Sequence, residues 1–142
     1  MKFPDWLPVY GDTRYRGPCP AESVEQATAI SYIRREWPNA YGVLVLHPRN
    51  EGKRNWRQAA KHRAEGMTTG ASDIIIPARV PFVCEIKRED HTKSRWEDGQ
   101  REYLAAALNA GAFVCVALGA EGVKEALNDY QKAVCRARRA PA

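Results

Sequence analysis

Apolar residues in this chain fall into short uninterrupted runs and longer helical stripes, and charge collects at their ends. The densest region is Ile74-Ile75-Ile76, followed across a connection bracketed by Pro77 and Pro81 by Phe82-Val83-Cys84-Glu85-Ile86-Lys87. Its β-branched residues and flanking prolines predict the two antiparallel strands of a hairpin. Upstream, residues 22–36 put Ile30, Ile33 and Trp37 on one helical face, with Trp37-Pro38-Asn39 as the stop. The run Val43-Leu44-Val45-Leu46 within 41–47 predicts the first strand, ended by His47-Pro48-Arg49-Asn50. Residues 54–65 predict a helix with a strongly basic side, a less polar side of Ala59, Ala60 and Ala64, and Gly66 as its end. Ser94 is placed to cap a helix over 95–110 whose stripe carries Tyr103, Leu104, Ala107 and Leu108, with Gly111 closing it. A further strand is predicted over 113–118 and a last helix over 120–133, with Val123, Leu127 and Tyr130 inward. This order of elements predicts an α/β sandwich around a central mixed β-sheet.

Residues 1–21 interrupt prolines and glycines with scattered aromatics, Phe3, Trp6, Tyr10 and Tyr15, so an irregular arm is expected before a domain over 22–133. That arm packs either on its own chain or around a partner subunit. Residues 134–142 form a basic tail. A chain of 142 residues holds one core. No apolar run approaches the roughly 20 residues that span a bilayer, and no signal-peptide pattern opens the chain; a cytoplasmic protein is expected. Cys19, Cys84, Cys115 and Cys135 are widely spaced with no CxxC pair, which favours reduced core thiols over zinc or disulfides.

The net charge of +5 makes a polyanion a plausible partner, and its distribution says more. Cations crowd the segment from Arg49 to Arg63, directly before the hairpin. Lys53, Arg54, Arg57 and Lys61 are the candidate phosphate contacts, where a solvated helix face is the ordinary alternative.

Period-two alternation puts Glu85 and Lys87 on one face of their strand, with Ile86 directed into the core and Asp73 at the mouth of the preceding strand. Converging carboxylates supply hard oxygen ligands for Mg²⁺ or Mn²⁺, and a Lys beside them can orient or deprotonate a water. A plain Glu85–Lys87 salt bridge is the competing reading. On the first helix Glu22 falls nearer the apolar stripe than Glu25 does, with Gln26 on the same side. Gln100 lies beside the buried stripe of its helix and needs a partner, either the carboxylates or the sheet. The chain has no P-loop, no GxGxxG and no serine in a nucleophile elbow.

The acid before one strand and Glu-X-Lys on the next resemble the PD-(D/E)XK nucleases. Within that superfamily the chain is similar to the VRR-NUC (virus-type replication-repair nuclease) domain over most of 22–118. The resemblance rests on Glu22 and Gln26, on His47-Pro48-Arg49-Asn50-Glu51-Gly52 with Arg54, on Gly66 and Gly70-Ala71-Ser72-Asp73, on Glu85-Ile86-Lys87, and on Gln100 with Gly111. Ser72 stands where the name motif has Pro. The resemblance implies a restriction-endonuclease-like three-layer α/β sandwich. It also implies divalent metal on Glu22, Asp73, Glu85 and the Ile86 carbonyl, Lys87 positioning the attacking water, Gln100 completing the site and Asn50 among the DNA contacts. The activity implied is a metal-dependent, structure-selective DNA endonuclease. It would act on branched DNA as a homodimer, like a Holliday junction resolvase in phage or bacterial replication and repair. A non-catalytic nucleic-acid-binding module, a sequence-specific restriction-type enzyme and a flap nuclease are the alternatives.

Overall fold

Strand β3 (Phe82–Lys87) is buried along its whole length, on both faces of the sheet. A computed structural model describes residues 1–48 and 55–139. In it β3 lies between β2 (Ile74–Ile76), antiparallel with Ile74 opposite Cys84, and β4 (Phe113–Leu118), parallel with Glu85 opposite Val116. The other side of β4 pairs in parallel with a two-residue strand, β1 (Val9–Tyr10), so the sheet order is β1-β4-β3-β2. The hairpin is antiparallel because its connection is short, whereas β3 and β4 can be parallel because helix α4 (Gln100–Asn109) joins them.

Alternation along β3 divides the core into two layers. Phe82, Cys84 and Ile86 face helices α1 (Glu22–Glu36) and α5 (Gly119–Arg139), packing with Ala29, Ile33, Val123 and Leu127. Tyr130 closes that layer against the rings of Phe82, Phe113 and Tyr41, and its hydroxyl donates to the Val80 carbonyl. Val83 faces the opposite way with Val114, Val116 and Leu118, beneath Leu104 of α4 and Leu7 of the arm. The result is the three-layer α/β sandwich with a mixed sheet, and Glu85 and Lys87 lie on the α4 side.

Several local expectations change. The predicted strand over 41–47 is a short helix, α2 (Tyr41–Leu44), followed by a single antiparallel bridge of Leu46 to Ile75. Tyr41 turns inward against Trp37 and Tyr130, and the Gly42 N–H donates to the Trp37 carbonyl at 2.8 Å. A Cβ on Gly42 would sit 2.7 Å from that carbonyl oxygen, so only glycine lets the chain fold back here. Of the four aliphatic residues only Val45 is buried, while Val43 is 70% exposed. Apolar content without burial is not a strand.

The arm is less irregular than expected: it supplies β1 and buries Leu7 on its own chain. Helix α5 continues past 133 to Arg139, so the start of the basic tail is helical, with Val134 packed against the core. Cys84 and Cys115 are buried neighbours, and burial pushes the Cys84 thiol well up; Cys19 is half-buried and Cys135 exposed, so only two of the four are core thiols.

Glu25 is buried, and its Oε2 accepts from the Ala120 N–H in the first turn of α5. A carboxylate there satisfies a donor that the helix cannot and complements the helix dipole. Glu25→Ala should therefore lower stability by about 2 kcal/mol, read as a lower urea midpoint at an unchanged slope.

Candidate active site

Asp73 ends the loop before β2, and the pairing of Ile74 with Cys84 brings it beside Glu85. Three donors hold it. Ile86 N–H donates to Oδ2 at 2.9 Å, Gln26 Nε2 donates to the Asp73 carbonyl at 2.9 Å, and His47 Nδ1 reaches the same carbonyl at 2.7 Å. Since a carbonyl only accepts, His47 carries its proton on Nδ1. A strand residue directs its N–H and C=O to the same edge, so the Ile86 carbonyl shares the Asp73 side of β3 with its N–H.

Glu85 is 1% exposed. Its Oε1 accepts from Gln100 Nε2 at 2.6 Å and lies 3.4 Å from Lys87 Nζ, while Oε2 is buried with no hydrogen-bond partner among the described residues. Burial pushes the Glu85 carboxyl well above the ordinary range, and the like charge of Asp73 adds to this, with Lys87 opposing both. The Lys87 side chain is itself buried, donating to the Arg95 carbonyl at 2.9 Å and Gln100 Oε1 at 3.0 Å, with its ammonium over the Trp96 ring. This is no surface salt bridge. Removing such a pair from water is costly unless each group is well partnered, and here one carboxylate oxygen is not.

Gln100 finds the carboxylate partner because α4 starts late. The helix begins at Gln100 instead of 95, after Gly99 at φ 83°. Gly70 fits against that turn: a Cβ on Gly70 would fall 2.1 Å from the Gly99 carbonyl carbon. The loop bearing Asp73 and the helix bearing Gln100 thus touch backbone to backbone. Ser94, expected as a helix cap, instead accepts from Arg88 N–H at 3.0 Å and donates through Oγ to Glu22 Oε1 at 2.7 Å.

These groups line one cleft of about 820 Å³, with Asp73, Glu85, Lys87, Gln100 and Glu22 all on its wall. Glu25 is absent from it, being committed to α5. Among the described residues no three acid, His or Cys side chains converge on a single point, so Glu22 stands apart from the Asp73–Glu85 pair. That pair nevertheless fits a hard divalent cation: its donors are oxygens, one of them buried and unpartnered, and the two charges repel. Asp73, Glu85 and the Ile86 carbonyl are the groups that would hold it.

Of the candidate phosphate contacts, Asn50, Lys53 and Arg54 lie outside the described residues. Arg57 and Lys61 belong to α3 (Trp56–Ala64), on the side away from Ala59 and Arg63, which are the α3 residues in the cleft wall. Two residues along a helix turn the side chain by about 200°, which separates the pairs. Lys61 instead approaches Glu65 at 3.6 Å. Among the described residues, Arg63, Lys93 and Arg95 line the cleft in addition to Lys87. Arg63 stands in the same basic run and is four residues from Ala59, a spacing that could have singled it out; Lys93 and Arg95 carried no signal in the sequence.

No family model matches the chain, and no curated protein sequence matches it. Among solved structures it is similar to one described as a VRR_NUC domain protein, at 21% identity and a TM-score of 0.66, covering 83% of this chain and 92% of that one. The chain has the VRR-NUC fold.

Asp73→Asn removes the charge beside Glu85 while keeping an acceptor for Ile86 N–H. The raised Glu85 pKa means destabilisation that grows as pH rises from the unfolded value through the folded one. Metal-free Asp73→Asn should therefore melt a few degrees above wild type near neutral pH, with the difference shrinking on acidification. Adding Mg²⁺ or Mn²⁺ should raise the melting temperature of wild type and leave that of the variant unchanged, as read by calorimetry.

Proposed function

We propose that this protein is a divalent-metal-dependent deoxyribonuclease, an endonuclease that hydrolyses phosphodiester bonds in branched or flapped DNA. The observation that carries the reading is the Asp73–Glu85 pair with an unpartnered Glu85 oxygen, set beside buried Lys87 in a cleft rimmed by Arg63, Lys93 and Arg95. The VRR-NUC fold supports it. Bound there, Mg²⁺ or Mn²⁺ would supply a Lewis acid for the phosphate and lower the pKa of a water.

The protein's own groups do the rest. Gln100 holds the Glu85 carboxylate by Oε1, leaving Oε2 for the cation, and it also accepts from Lys87. Lys87 places a fixed positive charge next to the reacting phosphate, where charge accumulates in the transition state. Glu22, oriented by Ser94, adds an acceptor across the cleft for a water or an outer ligand. Arg63 and Lys93 neutralise the strand backbone, while Arg95 is ion-paired with Glu97 at 2.8 Å. A second reading, a non-catalytic nucleic-acid-binding module of the same fold, draws on one feature: Lys87 Nζ has three acceptors already, the Arg95 carbonyl, Gln100 Oε1 and Glu85 Oε1.

A four-way junction presents two equivalent strands, and one chain carries a single site, so matched cuts need a two-fold homodimer. Purified protein incubated with four-way, flapped, single-stranded and linear duplex DNA should cut the branched forms with Mg²⁺ or Mn²⁺ and cut nothing in chelator. Glu85→Gln should lose at least about 10²-fold in rate while still shifting DNA in a gel. Cleavage undiminished by chelator would sink the metal assignment, and wild type that binds but never cuts would favour the non-catalytic module. Light scattering on junction DNA should give the mass of two chains per junction; one chain per junction would leave only a nicking or flap activity.

A further inference from the structure

Trp56 opens α3 and, at 75% exposure, is the most exposed large apolar side chain among the described residues. An indole in water is unfavourable, and its position is specific. Trp56, Ala59 and Arg63 are spaced three and four residues apart, which puts them on one stripe of α3. Ala59 and Arg63 line the cleft, and Trp56 continues the stripe one turn beyond Ala59. Arg57, turned away from the cleft, lays its guanidinium over the Trp56 ring at 5.4 Å from the centroid, so the indole is a braced plane with a cation against it.

A flat aromatic with Arg57 against it, on the helix stripe whose Ala59 and Arg63 line the cleft, matches a planar heterocycle attached to an anionic backbone. Within continuous duplex the faces of the bases are already stacked on each other; only an unpaired base offers one. We propose that Trp56 is a stacking platform for an unpaired nucleobase on the strand whose phosphate enters the cleft, and that it selects DNA with a single-stranded arm over continuous duplex. The inference rests on the nuclease reading above and, within it, separates flapped or splayed DNA from fully paired DNA.

The test measures binding in chelator, where cleavage does not intervene, by fluorescence anisotropy of a labelled splayed-arm DNA and a fully paired duplex of equal length. Wild type should prefer the splayed DNA. Trp56→Ala should lose about tenfold in affinity for it, the scale of one stacked base, with duplex affinity unchanged, and Trp56→Phe should retain most of the preference. Because the side chain is exposed, neither variant should unfold, and circular dichroism checks this. An unchanged splayed-to-duplex ratio in Trp56→Ala overturns the inference. So does a Trp56→Ala change in oligomeric mass with the ratio intact, which would mark the indole as a protein contact. Failure of the underlying reading has a separate signature: wild type that binds neither DNA.

Discussion

Buried Glu85 is held beside half-buried Asp73 at the wall of the cleft, and like charges in that position repel. Much of the surrounding structure opposes that repulsion. The hairpin register brings the two together, Ile86 N–H holds one carboxylate, Gln100 and Lys87 hold one oxygen of the other, and Gln26 with His47 grips the Asp73 main chain. What these contacts leave unanswered, the second oxygen of Glu85, is the part of the arrangement that asks for a cation. A cation bound there would offset the repulsion and so stabilise the fold, the usual relation between binding and folding.

The site also depends on residues far from it in sequence. The loop after β3 supplies Ser94 for Glu22, the Arg95 carbonyl for Lys87 and the Trp96 ring over the Lys87 ammonium. That loop is held from outside by the N-terminal arm. Trp96 Nε1 donates to the Lys2 carbonyl, Phe3 packs edge-on against Trp96 and His91, and Arg88 donates to the carbonyls of Cys19 and Pro20. Gly17 is bound twice, its N–H to Asp90 and its carbonyl to Lys93. An arm that composition marks only as irregular is therefore the outer brace of the loop that orients Lys87 and Glu22.

Backbone proximity sets the remaining geometry. Gly70 against Gly99 brings the Asp73 loop to the start of α4, and the late start of that helix is what aims Gln100 at Glu85. Glu22 and Glu25, three residues apart on α1, are drawn into different tasks by what lies opposite each: Ser94 at the cleft for one, the first turn of α5 for the other. Helix periodicity puts Glu22 nearer the apolar stripe, yet Glu25 is the one buried, on the face of Ala29 and Ile33, because the first turn of α5 offers it a donor.

The hairpin, the Glu85 and Lys87 face, the position of Asp73 and the α/β class were legible in the sequence because each rests on a short-range rule. Period-two alternation, β-branched runs and turn residues act within a few positions of themselves. The helix with Glu22 and the strand 113–118 were legible for the same reason. What the sequence could not decide depends on partners distant in the chain. Val43 to Leu46 has the composition of a strand, yet the Trp37–Tyr41–Tyr130 packing makes it a turn of helix. Ser94 has the composition of a cap, yet Glu22 claims its hydroxyl. Val9–Tyr10 has none of the length of a strand, but the open edge of β4 satisfies its backbone. Local propensity contributes tenths of a kcal/mol per residue, while a buried hydrogen bond or packed ring is worth about 1 kcal/mol or more. Wherever the two disagreed, tertiary contact decided the outcome.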